Sequence, residues 1–165
     1  MRFRNARRPA QALLAGALAL FLAALPAARV DGTVTGELVV ADQRAGVALF
    51  GFDPVSYFLD GKARMGSESI ELTFGRLTWR FRSEANRAAF RAAPDIYVPR
   101  FGGYDPVALS RAAPVAGHPA IFAVHDGELF LFHRPENLAA FRADPRATID
   151  AASAAWPLVR RSLVH

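Results

Sequence analysis

Three side chains have the types to gather a metal ion: His118, His133 and Asp105. His118 and His133 bracket two runs of alternating apolar residues, Ala120–Val124 (AIFAV) and Glu128–Phe132 (ELFLF), joined at His125-Asp126-Gly127. With Val124 facing Glu128 across that turn, the register places His133 beside Pro119, next to His118. His125 then sits at the opposite tip, on the order of 25 Å away at about 3.3 Å per residue. Neutral imidazoles suit copper or zinc, and Asp105 would add a carboxylate. Two histidines are half a site, so the competing reading is of surface or helix-start histidines held by local hydrogen bonds.

Other groups offer weaker chemistry. Arg82 precedes a helix start at Ser83, where a guanidinium beside free N–H groups could hold an anion; pairing with Glu84 or Glu68 is the plainer account. Asp53 and Asp105 each precede Pro-Val and could form a carboxylate pair, although Asp-Pro is also a common turn starter. Tyr97, Phe101 and Tyr104 lie around Gly102-Gly103 in sequence, and Tyr57 and Phe58 close the earlier GFDPVSYF phrase. They could line a ligand groove near Tyr104 or simply pack. Enzyme signatures such as Gly-x-Ser-x-Gly, a phosphate loop, a dinucleotide fingerprint or His-Glu-x-x-His are absent from the sequence, and the expectation is a non-catalytic protein.

The elements that must position these residues come in two copies. Ser69–Phe74 (SIELTF), the turn Gly75-Arg76 and Leu77–Phe81 (LTWRF) predict a hairpin. Ser83 predicts an N-cap for a helix over Glu84–Ala93, ended by Pro94. After Gly102-Gly103, Tyr104-Asp105-Pro106-Val107 echoes Phe52-Asp53-Pro54-Val55, and FHRPENLAAFRADP echoes FRSEANRAAFRAAP. Pro135 falls where the first helical turn tolerates proline. Each unit has one apolar hairpin face and a helix with a phenylalanine, Phe90 or Phe141. Neither buries much alone, so the expectation is one shared core. The fold class expected is α+β: two tandem β-hairpin-plus-helix units, 49–100 and 101–146, packed as one pseudo-twofold domain. A lead-in at 29–48 with a strand at Glu37–Val40, a C-terminal helix at 147–157 broken by Pro157, and a tail at 158–165 complete the chain.

Residues 1–28 read as a signal peptide: Arg2, Arg4, Arg7 and Arg8, then an apolar run over Ala10–Leu25, then Pro26-Ala27-Ala28. The run is short for a bilayer span, which needs about 20 residues; an uncleaved anchor is the alternative and the only expected membrane contact. The formal charge of +5 comes from 20 basic and 15 acidic residues. Without the four leader arginines the body holds 16 against 15, which removes the electrostatic case for nucleic acid. The chain has no cysteine, which excludes disulfides, thiolate metal sites and lipid attachment through cysteine. The expected location is periplasmic or secreted.

GFDPVSYFLDGKARMGS, TWRFRSEANRAAF, PDIYVPRFGGY, DGELFLF and the closing Ala154-Ala155-Trp156-Pro157 together resemble the YHS domain family, over roughly Leu49–Pro157. The resemblance implies a small metal-handling module in which cysteines follow Asp-Pro-Val and flank a helix start. Soft ligands of that kind suit zinc or copper(I). Here those positions read Ser56, Arg82 and Asn86 in the first unit and Ala108, His133 and Asn137 in the second. His133 is the one replacement with ligand chemistry. The functional expectation is an exported, non-catalytic YHS-like binding or accessory module linked to copper or zinc through a degenerate site. The alternative is a metal-free structural or protein-interaction module with a periplasmic protein partner.

Overall fold

Turn chemistry fixes both hairpins. The computed structural model describes residues 39–42 and 44–163, all within one of two units of the chain, Gly32–His165. The expected signal peptide at 1–28 lies outside the described residues, as do Glu37 and Leu38 of the expected lead-in strand. Val39 and Val40 form no strand; β1 (Ala41–Asp42) begins just after them and runs antiparallel to β2 (Val47–Ala48). A 3-10 turn at Leu49–Gly51 and a short helix α1 (Ser56–Leu59) follow.

The first hairpin is β3 (Ser67–Phe74) and β4 (Leu77–Phe81). Gly75 and Arg76 at its tip have φ of 57° and 65°, the two positive values that match the twist of the strands they join. β2 lies parallel to β4, giving a four-stranded sheet of order β1-β2-β4-β3. Helix α2 (Glu84–Ala92) starts at Ser83, whose Oγ accepts the Asn86 N–H at 3.1 Å. It stops one residue short of the expected Ala93, and Pro94 opens the single turn α3 (Pro94–Tyr97).

The second copy runs through a turn at Arg100–Gly103, helix α4 (Pro106–Leu109), strands β5 (His118–His125) and β6 (Glu128–Phe132), and helix α5 (Pro135–Ala143) with proline in its first turn. Asp126 and Gly127 hold the positive φ values, 50° and 77°. The loop therefore has two residues, and His125 rather than Val124 faces Glu128. Helix α6 extends over Pro145–Ser162, further than the expected 147–157, and takes in most of the expected tail. Pro157 stands inside it. The missing N–H costs one internal bond, but Val159 beyond it is 3% exposed and anchors the last turns to the core.

Two stretches of the chain make matching backbone bonds. Asp53 and Asp105 donate their N–H groups to Arg64 O at 2.8 Å and Val115 O at 2.9 Å, and Gly66 and Gly117 donate to Gly51 O and Gly103 O at 2.8 and 2.9 Å. Both glycines are required by close approach. A Cβ on Gly66 would stand 2.6 Å from Arg80 O, and one on Gly117 would stand 2.6 Å from Leu131 Cβ.

In place of the one shared core expected, the buried residues form two clusters. Leu77, Trp79, Phe81 and Phe90 pack with Leu49, Val55 and Tyr57, and this cluster is completed by Leu129 and Leu131 of β6. Phe130 and Phe132, on the other face of β6, pack with Phe101, Val107, Leu109 and Phe141 beneath Ala152 and Val159 of α6. β6 thus lies between two apolar clusters, and its last four residues are all buried. β4 buries only its Leu77, Trp79 and Phe81 face. On the other face, Arg80, the counterpart of Leu131, pairs with Glu68 and Glu71 at 2.9 Å each. The back of the second hairpin covers the first unit, and α6 covers the second.

Candidate functional site

Asp53 and Asp105 are buried carboxylates, each 0% exposed. Asp53 opens a turn, as its Asp-Pro setting predicts, and Asp105 is the N-cap of α4. Asp53 Oδ1 accepts the Val55 N–H at 2.8 Å; Asp105 Oδ1 accepts those of Val107 and Ala108 at 2.8 and 3.2 Å. The second oxygen reaches across the unit to where the hairpin hands over to its helix. Asp53 Oδ2 accepts the Arg82 N–H at 2.8 Å and the Asn86 side-chain amide at 2.6 Å. Asp105 Oδ2 accepts the His133 N–H at 2.7 Å and the Asn137 side-chain amide at 2.6 Å. A buried carboxylate is tolerable when neutral donors surround it in this way. The two aspartates form twin staples, each tying a turn to a strand end and a helix start.

The staples use the positions the resemblance assigns to cysteines. Arg82 and His133 contribute their backbone N–H groups, and Asn86 and Asn137 their amides. Ser56 is fully buried, its Oγ 2.8 Å from Asp53 O and 3.1 Å from Lys62 O. Sequence reasoning missed the asparagines as partners of the aspartates. The available signal was the matched spacing, Asp53 to Asn86 at 33 residues and Asp105 to Asn137 at 32.

The structure places His118, His133 and Asp105 of the expected metal set in the same unit but with separate partners. The hairpin does bring the histidines to one end, with a bulge between His118 and Phe122 and His118 opposite Phe132. Each ring is held locally. His118 Nδ1 accepts the Ala120 N–H at 3.1 Å. His133 Nδ1 lies 3.2 Å from Ala116 O. Asp105 spends both oxygens on four protein donors. Among the described residues no three His, Asp or Glu side chains gather to hold a metal ion. The donors present do not fit the zinc or copper site that the resemblance implies.

No protein-family model, no curated protein and no solved structure matches the chain. The YHS-like reading therefore rests on the motifs quoted above. Among the described residues no helix is long and apolar enough to cross a membrane.

The remaining candidates resolve into packing. Tyr57 is 1% exposed, meets Phe122 edge-on at 4.8 Å and donates its hydroxyl to Pro119 O at 2.9 Å, pinning α1 to β5. Burial, and then the nearby Asp53 charge, push its phenol well above the ordinary range. Tyr104 packs on Trp156 at 6.0 Å, and burial raises its phenol too. Phe58 and Tyr97 form an edge-on pair at 5.4 Å, and Phe101 meets Trp156 at 5.8 Å. Asp53 and Asp105 are occupied by separate donor sets, so neither carboxylate is left to pair with the other. Glu84 is engaged by Arg87 and Glu68 by Arg80; the role shown for Arg82 is its backbone bond to Asp53.

Proposed function

We propose that this chain is an exported, non-catalytic module that keeps a YHS-like framework without its metal and serves as a structural or protein-interaction element. One observation carries the reading. At both places where the resemblance implies metal-binding cysteines, a buried aspartate already has its oxygens filled by backbone and asparagine donors. A framework closed by its own hydrogen bonds needs no ion to hold the turn against the helix start. Export follows from the basic and apolar leader, and the near-neutral body favours a protein partner over nucleic acid. The metal-linked alternative retains the exposed His133 ring.

The test is metal analysis of the full-length gene product recovered from its own cells, combined with melting in the presence and absence of a chelator. The expected result is well under one equivalent of copper or zinc and the same melting temperature in both. Stoichiometric copper or zinc, lost in His118→Ala/His133→Ala, would overturn the proposal in favour of the metal-linked reading. The leader is tested separately: N-terminal sequencing of the exported protein should begin near Arg29.

A further inference from the structure

We draw no further inference here: the strongest candidate, the exposed Met65 side chain near the Arg80 stem at Gly51, carries nothing because nothing in the structure shows what covers it.

Discussion

Removing the Asp53 carboxylate should be among the most damaging single changes to this fold. The side chain is fully buried and accepts three hydrogen bonds, from Val55 N–H, Arg82 N–H and the Asn86 amide. A hydrogen bond to a charged group contributes about 1.5–3 kcal/mol, and donors left unsatisfied in the interior cost about 1–3 kcal/mol each. These terms overlap, and Asp53→Ala should lose about 3–5 kcal/mol, a large share of the roughly 5–15 kcal/mol that holds a domain together. Asp53→Asn is no rescue. One of its two positions becomes an NH₂ that faces N–H donors, whichever way the amide is turned. Asn86→Ala deletes one bond and should lose about 1.5–3 kcal/mol. The Asp53→Ala/Asn86→Ala pair should therefore be less damaging than the sum, with a coupling of about 1–3 kcal/mol. Urea unfolding followed by tryptophan fluorescence measures all four corners, since Trp79 sits in the cluster that the staple closes. The same cycle at Asp105 and Asn137 should behave alike. A change below about 0.5 kcal/mol in Asp53→Ala, the size of an ordinary surface substitution, would refute the staple. So would zero coupling to Asn86.

Four further outcomes follow from the packing. Gly66→Ala and Gly117→Ala should each lose about 3 kcal/mol, the upper part of the range for over-packing, because the new methyl meets Arg80 O or Leu131 Cβ at 2.6 Å; urea midpoints near wild type would show that the strands yield. Leu131→Ala should lose about 2–5 kcal/mol, and Trp79 and Trp156 should still report one transition, because β6 belongs to both clusters; two separate transitions would show that they are independent. Stability should fall as pH rises above about 10, the ordinary tyrosine value. There the unfolded chain releases the Tyr57 proton while burial keeps it on the folded one; Tyr57→Phe should reduce that alkaline slope in pH-dependent denaturation, and an unchanged slope would assign it elsewhere. Pro157→Ala should stabilise the protein by about 1–3 kcal/mol by restoring a bond inside α6, and a lower melting temperature would contradict this.

The local elements were legible because their causes are local. Alternation over SIELTF and LTWRF specifies a hairpin whatever lies around it, and Gly75-Arg76 and Asp126-Gly127 can adopt the positive φ that a two-residue turn needs. Ser83 and Pro94 bound α2 for reasons contained within a few residues. The turn at Asp126-Gly127 still misled the register by one residue, since whether His125 belongs to the loop or the strand depends on backbone pairing. Pro157 misled the end of α6 because the burial of Val159, a tertiary contact, outweighs a local breaker.

Taken alone, the sequence determined the α+β character and the absence of any thiolate chemistry, both of which follow from residue type and short-range order. Only the tertiary structure decided what the site residues do. Asp53 and Asn86 meet because β4 returns the chain to its first turn. Asp105 is consumed by His133 N–H and the Asn137 amide rather than offered to an ion. The alternating residues of β6 divide between two clusters because different partners cover its two faces, the first unit on one side and α6 on the other. Alternation along a strand says that it has two faces; what each face meets depends on residues far away in sequence, and packing settles it.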